Sequence, residues 1–387
     1  AVEILDNPNF RSSLPASDET QEQSLAVINT INTNSDQGKL NKILNEVKIG
    51  SSNPQNISAV HKLIAENLDA FATDDEPLGQ TDKAVYDIDT GTSSPVAQTR
   101  YRTPYYLRNE MKKIIDKNVE SGLMKPCSSP YAAPVLLVKK PNGTYRLVCD
   151  YRRLNEVTIS DSYPLPSIED LVTNLSSSKV FSVADLWTGF HQIPCSENAM
   201  KKLAITTEFG QYTWQSMPMG GKNAPSVFQR LMDTVFQSIP RSELIIYLDD
   251  MLVHSATEEE NIDHLRRILQ ILISNNLKIR ASKTEILMRE IQFCGYIISN
   301  GTRKPNPRKV QAVQDLLSPK TRTQAQSVFG LLNYHRHFID KFASKAAAIT
   351  KTYKGHFRWT TEAQNALELL KNEISSAALQ LTIPNVT

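Results

Sequence analysis

Hydrophobic spacing predicts two helices in the first third of the chain. Between Ile57 and Phe71, apolar residues recur every three or four positions, which is the period of an amphipathic helix. The segment from Pro104 to Ser121 predicts a second helix, and Gly122 is a typical C-terminal stop. The first ~55 residues are rich in Ser, Asn, Gln and Asp, so we expect extended or weakly ordered chain there.

The middle of the chain changes to short runs that are typical of β-strands. Ala133 to Lys139 and Tyr145 to Cys149 are two such runs, and the loop between them contains Asn-Gly, which strongly favours a hairpin. Another hairpin is predicted from Glu243 to His254, with two adjacent acids at its tip. Carboxylates at the tip of an apolar hairpin are costly unless they are exposed or hold a cation. From Asn306 onward the pattern is mainly helical, including Thr323 to Phe342.

Composition narrows the class of protein. Of the 387 residues, 40% are apolar, as in ordinary globular proteins. Apolar runs are far shorter than the ~20 residues of a membrane span, and the N-terminus has no signal-peptide pattern, so we expect an intracellular protein that makes no membrane contact. The cysteines lack the spacing of a zinc site or a disulfide framework: Cys127, Cys149, Cys195 and Cys294.

Charge is distributed unevenly, although the net charge is only +2. Residues 1–99 carry 6 Lys/Arg and 15 Asp/Glu, whereas residues 100–160 carry 12 Lys/Arg and 5 Asp/Glu. A basic block of this kind is typical either of a solvated surface or of a nucleic-acid contact. Charge alone leaves both interpretations open.

Three acids stand at the ends of apolar, β-prone stretches. VFSVA leads into Asp185, and IIYL leads into Asp249 and Asp250. If the two strands are neighbours, three carboxylates converge, and hard oxygen ligands of this kind suit magnesium. Two such ions could activate a primer 3′-hydroxyl and stabilise in-line displacement at phosphorus. The alternative for an isolated Asp-Asp pair is a solvated turn.

Four segments resemble the ordered motifs of one enzyme family. They are LVKKPNGTYRLVCDYRRLNEVTISDSYPLPSIEDLV (Leu137 to Val172), FSVADLWTGFHQI (Phe181 to Ile193), SMPMGGKNAPSVFQRLMDTVF (Ser216 to Phe236) and YLDDMLVHS (Tyr247 to Ser255). Their order and spacing resemble the reverse transcriptases of Gypsy-type (Metaviridae) LTR retrotransposons. The resemblance implies an RNA-directed and DNA-directed DNA polymerase with an α+β, right-hand fold: fingers, a palm with an antiparallel sheet of split βαβ type, and a helical thumb.

The resemblance also implies roles for individual residues. The metal-binding and catalytic acids fall on Asp185, Asp249 and Asp250, with two Mg²⁺ ions as cofactors and Mn²⁺ as a substitute. The dNTP-binding positions fall on Lys140 or the adjacent Lys139, together with Arg146, Phe190, Met219 and Gly220. The template-primer positions fall on Tyr247, on the primer grip (Phe293, Gly295 and Tyr296) and on the thumb helix (Gly330 and Tyr334). Met219 stands where many retroviral relatives have glutamine, and Gly221 where a bulkier residue is usual.

Two short motifs could suggest a protease site and a metal site, but each lacks the other residues that such a site requires. Asp89-Thr90-Gly91 spells the aspartic protease triplet, but it lacks the apolar flanks and the second element of such enzymes. His335 and His337 have no acidic or cysteine partners at ligand spacing, so we interpret them as exposed thumb residues.

The resemblance suggests a division of the chain. We expect an N-terminal extension or linker at 1–87, partly disordered, interleaved fingers and palm at 88–300, the thumb at 301–347, and the start of a connection at 348–387, with RNase H absent. Expected partners are RNA and DNA template-primer duplexes, dNTPs, and a second copy or other Pol segments. We expect a cytoplasmic location in virus-like particles, or a nuclear one.

Two rival functions belong to other classes. The first is a domesticated, non-catalytic descendant that binds nucleic acid, against which the intact carboxylates argue. The second is an RNA-dependent RNA polymerase, against which Phe190 and the Gypsy-like flanks argue. The linker-like composition also predicts that residues 1 to about 55 are dispensable for polymerisation.

Overall fold

The computed structural model describes residues 34–73, 78–173, 175, 177–376 and 381–382. Its strands are β1 (Lys48–Ile49), β2 (Phe71–Ala72), β3 (Met124–Pro126), β4 (Ala133–Lys139), β5 (Tyr145–Cys149), β6 (Val180–Asp185), β7 (Ile205–Thr207), β8 (Gly210–Trp214), β9 (Leu244–Tyr247), β10 (Asp250–Ser255), β11 (Ile279–Arg280), β12 (Glu285–Met288), β13 (Glu290–Phe293), β14 (Tyr296–Ser299), β15 (Thr302–Pro305) and β16 (Leu381–Thr382).

The described residues also form thirteen α-helices. They are α1 (Asn34–Glu46), α2 (Pro54–Glu66), α3 (Arg108–Glu120), α4 (Arg152–Val157), α5 (Ile168–Thr173), α6 (Glu197–Lys202), α7 (Ala224–Val235), α8 (Glu258–Ser274), α9 (Pro307–Gln314), α10 (Arg322–Tyr334), α11 (Phe342–Lys345), α12 (Ala347–Lys351) and α13 (Thr361–Ser376). Short 3₁₀ turns cover Leu68–Ala70, Tyr105–Leu107, Gly189–Gln192, Ala281–Lys283 and Arg336–Phe338.

The central sheet has the order β1-β12-β6-β10-β9. Along the chain, β6, α7, β9, β10, α8 and β12 follow one another, and β10 is antiparallel to both β6 and β9. This succession and this strand order are those of a split βαβ unit, with the fingers strands β7 and β8 inserted after β6. The expected α+β palm is therefore confirmed, apart from the short β1, which pairs with β12 in parallel.

Helix α8 forms where the sequence supplies both a start signal and an apolar face. Thr257 and Glu260 form a reciprocal capping box at its first turn. Its buried residues recur at helical spacing and include Ile262, Leu265 and Leu269, which belong to the same core as Val253 of β10. This packing fixes the strand that carries Asp250.

A second sheet, of order β3-β8-β7-β4-β5, forms the fingers side of the molecule. The predicted hairpin lies there with the predicted bounds, and Val135 to Lys139 pair with Cys149 to Tyr145. The Lys140 N–H donates to the carbonyl of Thr144 and closes the turn, in which Gly143 has a φ of +85°. The predicted helix before it also forms, and Gly122 follows its end at a φ of +74°.

The C-terminal part consists of the β13-β14-β15-β16 sheet and a helical unit. The predicted helix from Thr323 to Phe342 ends at Tyr334, and a 3₁₀ turn and Lys341 at a φ of +51° separate it from α11. One hydrophobic core joins α9, α10 and α12 to α13. This core contains residues on both sides of residue 347, where the sequence predicts the end of the thumb. Among the described residues, no helix has the length and apolarity required to cross a lipid bilayer.

The expectation of extended chain up to about residue 55 is wrong for Asn34–Glu46, which forms α1. Leu40 and Ile43 are each only 1% exposed and belong to the main core, as does Val47. The carboxylate of Glu258, in α8, also accepts a hydrogen bond from Nδ2 of Asn56 at 2.8 Å. The overall composition of this segment is polar, but Leu40, Ile43 and Val47 form an apolar stripe at positions i, i+3 and i+7. Residues 1–33 lie outside the described residues.

We therefore expect the N-terminal segment to contribute to stability. A chain beginning at Pro54 loses the burial of Leu40, Ile43 and Val47, each worth roughly 1.5–3 kcal/mol as an upper value. Urea unfolding should show a lower midpoint for it than for a chain beginning at Asn34, with lower specific activity at the same temperature. Equal midpoints and equal specific activities would instead support the prediction that residues 1 to about 55 are dispensable for polymerisation.

Candidate active site

The sheet register brings the three predicted acids together. Asp185 is the last residue of β6, Asp250 is the first residue of β10, and the two are paired directly across the antiparallel ladder. Asp249 precedes Asp250 in the two-residue turn that joins β9 to β10. Its carbonyl accepts a hydrogen bond from the Leu186 N–H at 3.3 Å, which ties the turn to the chain leaving β6. Directly paired residues carry side chains on the same face of a sheet, so the carboxylates of Asp185 and Asp250 share one surface.

The turn itself holds an unusual backbone conformation. Leu248 has a φ of +54°, in the left-handed region that residues other than glycine rarely adopt. Such conformations persist where the surrounding structure determines them, and they are frequent at functional sites. The Leu248 N–H donates to Oε1 of Gln229, on α7, at 2.9 Å. The tip of the hairpin is therefore fixed from a neighbouring helix.

The acids are held in a setting that disfavours their charge. Burial, followed by the negative charges of Asp249 and Asp185, raises the pKa of Asp250 to about 6. The pKa of Asp249 is also raised, chiefly by burial. Asp185 is 7% exposed, and its Oδ2 accepts an ion-paired hydrogen bond from the ammonium of Lys283. Carboxylates that are crowded and desolvated in this way are stabilised by a cation.

The residues fit a divalent metal ion. The donors are carboxylate oxygens, the preferred ligands of magnesium and related ions, and the Lys283 ammonium already stands where a cation charge is favourable. In the part of the chain that the structure describes, no three acidic, histidine or cysteine side chains are already arranged as a ligand set. A metal ion bound by Asp185 would meet the same carboxylate that the Lys283 ammonium pairs with.

Phe190 lies on the 3₁₀ turn that follows Asp185. Its ring meets the ring of Phe228, on α7, edge to face at 5.1 Å, and it remains half-buried. A side chain on Gly189 would come within 3.0 Å of Phe228 and 3.1 Å of Leu186, so a larger residue would require these side chains to shift. Phe190 is thus packed on one side and accessible on the other.

The fingers hairpin distinguishes between the two lysines. Arg146 pairs with Val138, whereas Lys139 pairs with Tyr145. Alternate residues of a strand point to opposite faces, so Lys139 lies on the face opposite Arg146, and continued alternation one residue past the end of β4 would place Lys140 on the face of Arg146. The register therefore favours Lys140 as the partner of Arg146.

The predicted nucleotide-pocket loop lies beside the end of β5. The carbonyl of Gly220 accepts a hydrogen bond from Nδ2 of Asn155 at 2.9 Å, and Gly220 itself has a φ of +95°. Met219 is 51% exposed. A side chain on Gly221 would clash with the Tyr86 hydroxyl, which explains the small residue there.

The predicted primer-grip hairpin and thumb helix are in contact. Cys294 and Gly295 form the turn between β13 and β14, both with positive φ. The hydroxyl of Tyr334 donates to the Cys294 carbonyl at 3.0 Å and accepts from Nζ of Lys309 at 2.7 Å. The rings of Tyr296 and Tyr334 are stacked at 6.3 Å. Tyr334 therefore fixes the hairpin turn to the thumb.

The remaining template-primer positions differ in accessibility. Phe293 and Tyr296 are only 2% and 4% exposed, so their side chains belong to a core. Gly330 is exposed, and a side chain there would have no heavy atom within 4 Å. Tyr247 lines a cavity of about 380 Å³ together with Tyr296 and Tyr334.

Some residues were misjudged or missed by sequence reasoning. His335 is fully buried, so its description as an exposed thumb residue is wrong, and burial lowers its pKa to about 4. Lys283 and Gln229 were not singled out. Lys283 lies in an ordinary polar stretch and gives no signal, whereas Gln229 is a polar residue among apolar ones on α7. The Asp89 side chain accepts a hydrogen bond from the Gly91 N–H, as in an ordinary local turn.

Comparisons with known proteins agree with this geometry. Residues 138–298 match the family model described as reverse transcriptase (RNA-dependent DNA polymerase). The Pol polyprotein of the transposon gypsy from Drosophila melanogaster is 31% identical over 339 residues, which is 82% of this chain and 32% of the relative. The Pol polyprotein of the transposon opus, from the same species, is 34% identical over 274 residues, 70% of this chain and 27% of the relative. The chain thus spans about a third of these relatives.

Solved structures of foamy viral protease-reverse transcriptase share the fold. One of them superposes with a TM-score of 0.78 at 24% identity, over 89% of this chain and 60% of the other. Another has a TM-score of 0.76 at 23% identity, over 89% of this chain and 46% of the other. Reverse transcriptases as a family depend on divalent metal ions, in agreement with the carboxylate cluster. This chain belongs to the reverse transcriptases of gypsy-type LTR retrotransposons.

Proposed function

We propose that this chain is the DNA polymerase part of a retroelement Pol polyprotein and extends a primer with dNTPs on RNA and DNA templates. The observation that carries the proposal is the β6-β10 register, which sets Asp185 opposite Asp250 with Asp249 beside them. The similar foamy viral enzymes have been seen in complex with an RNA/DNA hybrid and with double-stranded DNA. We infer that the same classes of nucleic acid are the partners of this chain.

The proposed reaction is a phosphoryl transfer. The primer 3′-oxygen forms a bond to the α-phosphorus of the dNTP, the bond between that phosphorus and the β-phosphate bridging oxygen breaks, pyrophosphate leaves, and the hydroxyl proton passes to solvent. We propose that Asp185, Asp249 and Asp250 hold two Mg²⁺ ions, replaceable by Mn²⁺, which would supply charge stabilisation and activation of the hydroxyl. The β9-β10 hairpin and strand β6 would set the positions of the carboxylates, of which Asp185 is buried and Asp249 and Asp250 are half-buried.

Lys140 and Arg146 are proposed to bind the triphosphate. An ammonium and a guanidinium on one face of a hairpin suit phosphate oxygens, since arginine can bind two of them at once. Replacing either residue by Ala should raise the KM for dTTP by about 10-fold or more, equivalent to ~1.4 kcal/mol. Steady-state kinetics would measure this, with Lys139→Ala as the matched control from the opposite face. A larger effect of Lys139→Ala than of Lys140→Ala would reverse the assignment.

The template-primer duplex is proposed to lie against the thumb helix and the primer-grip hairpin. Gly330 leaves an open surface on α10, one turn before Tyr334. A shallow minor groove, as in A-like duplexes, can approach such a surface closely. The buried side chains of Phe293 and Tyr296 would shape the hairpin, and its backbone would meet the primer.

Primer extension tests the proposed function. The chain is incubated with poly(rA)/oligo(dT), dTTP and either Mg²⁺ or Mn²⁺, and the lengthened primer is resolved on a gel. Extension that stops when the metal is chelated supports the proposal. Tight binding of the template-primer without any extension would instead support a non-catalytic nucleic-acid-binding role.

A further inference from the structure

A buried glutamine contacts the hairpin that carries two of the three acids. Gln229 lies on α7 and is 1% exposed. Its Oε1 accepts the hydrogen bond from the Leu248 N–H at 2.9 Å. Leu248 immediately precedes Asp249 and holds the left-handed conformation of the turn. This is a side-chain contact to the turn from outside the hairpin, made at its most constrained residue.

The orientation of the Gln229 amide is determined by its second partner. Nε2 of Gln229 donates to Oδ1 of Asp233 at 3.0 Å, one helical turn further along α7. An ionised carboxylate only accepts hydrogen bonds, so it selects the NH₂ end of the amide and turns the oxygen toward the Leu248 N–H. Asp233 is held in turn, because its Oδ2 accepts from the Tyr163 hydroxyl at 2.6 Å.

Further contacts extend this arrangement to the segment before α5. The guanidinium of Arg230 lies over the Tyr163 ring at 4.7 Å and donates to both carboxylate oxygens of Asp161 at 2.7 and 2.8 Å. A chain of polar contacts therefore runs from Asp161 to the hairpin tip. Each of these side chains restricts the next one. Among these five side chains, Gln229 alone is both buried and in contact with the turn.

We propose that Gln229 is a positioning residue for nucleotide addition: it holds the Leu248 turn in its left-handed conformation and thereby sets where the carboxylates of Asp249 and Asp250 meet the metal ions. The inference rests on the proposed polymerase function. A left-handed leucine is disfavoured by itself, so the turn needs an external partner to remain in one conformation. Without that partner the two carboxylates lose their fixed relation to Asp185, although the nucleic-acid surfaces are unchanged.

The test uses single-turnover addition of dTTP to a prebound template-primer. Gln229→Met keeps the length of the side chain but removes both hydrogen bonds, and it should lower the rate of addition by about 10-fold or more while the template-primer Kd stays within about threefold. The Mg²⁺ concentration that gives half the maximal rate should rise. Asn261→Leu is the matched control, since Asn261 is a fully buried amide that bonds Ser182 and Ser255 at the opposite end of β6 and β10.

A pair of substitutions separates hydrogen bonding from packing. Gln229→Glu can still accept from the Leu248 N–H, but it sets a second carboxylate against Asp233, so its rate should fall. In the double variant with Asp233→Asn, an amide can donate to the new carboxylate. The rate of nucleotide addition should then be at least about fivefold higher than in Gln229→Glu alone. This pair also serves if Gln229→Met does not fold.

Each outcome supports or overturns the proposal. A slowed Gln229→Met with a near-normal Asn261→Leu, and recovery in the double variant, support it. Equal rates in Gln229→Met and the wild type, or equal loss in Asn261→Leu, would mean that Gln229 only stabilises the fold. If the wild type itself extends no primer, the proposed function fails, and this result is distinguishable because the wild type is measured in the same experiment.

Discussion

Asp249→Asn and Asp250→Asn are each expected to abolish nucleotide addition while leaving template-primer binding within a few fold. The charge of a metal-bound carboxylate acts on the transition state, whereas duplex affinity comes mainly from the basic surface. Metal activation and charge stabilisation are each worth several kcal/mol, so the rate should fall by several orders of magnitude. Each tenfold decrease in rate corresponds to about 1.4 kcal/mol. Single-nucleotide extension across a Mg²⁺ titration, with a parallel binding measurement, tests this.

The same substitutions have a second consequence that separates lost chemistry from misfolding. Burial and neighbouring charge raise the pKa of Asp250, which means that the folded protein disfavours its ionised form. The amide carries no charge, so the variants should be no less stable than the wild type in the presence of EDTA. Asp263→Asn, at an exposed acid on α8, is the control with unchanged activity. Near-normal extension by either variant at any metal concentration would contradict the assignment of the metal site.

Phe190 is expected to distinguish deoxyribose from ribose. It follows Asp185 by five residues, on a turn that Gly189 allows to pack closely, and one side of its ring is held by Phe228. An aromatic ring under the sugar leaves no room for a 2′-hydroxyl, and such a built-in clash discriminates strongly. Phe190→Val or Phe190→Ala should raise the use of UTP relative to dTTP by at least ~10-fold, or roughly 1.4 kcal/mol. The loss in dTTP use should be smaller.

The measurement is the ratio of kcat/KM for dTTP and UTP on the same primer. Phe181→Val is a suitable control, because Phe181 is a fully buried phenylalanine of β6 that packs in a different core. It should destabilise the protein without changing the ratio. An unchanged ratio in a folded, active Phe190 variant would mean that Phe190 is a core aromatic and that another residue excludes ribose.

The predictable parts of the fold were those encoded by local chemistry. Asn-Gly set the fingers hairpin at its observed bounds, and two acids within an apolar run marked the hairpin of Asp249 and Asp250. The pairing of Asp185 with Asp250 could be anticipated from the order of the motifs, although not from either strand alone. Local signals sufficed because these turns depend on residues next to one another.

The remainder depended on contacts between distant segments. The helix Asn34–Glu46 has a polar composition, and its few apolar residues become informative only when the core that receives them is known. His335 follows the end of a helix, and its ring lies 5.1 Å from the ring of Tyr334. The neighbouring residues in the sequence give no indication that His335 is buried. Lys283 reaches Asp185 across almost a hundred positions. Such relations arise from tertiary packing and leave little pattern in the sequence.

We propose above all that this chain copies RNA into DNA at the centre formed by Asp185, Asp249 and Asp250. The most direct measurement is extension of a DNA primer on an RNA template of mixed sequence with all four dNTPs and Mg²⁺, followed by sequencing of the product. The expected result is a DNA complement of the template, formed by the wild type and absent both with EDTA and with Asp185→Asn. A wild-type chain that binds this template-primer but adds no nucleotide with Mg²⁺ or Mn²⁺, or an Asp185→Asn variant that extends it normally, would contradict the account.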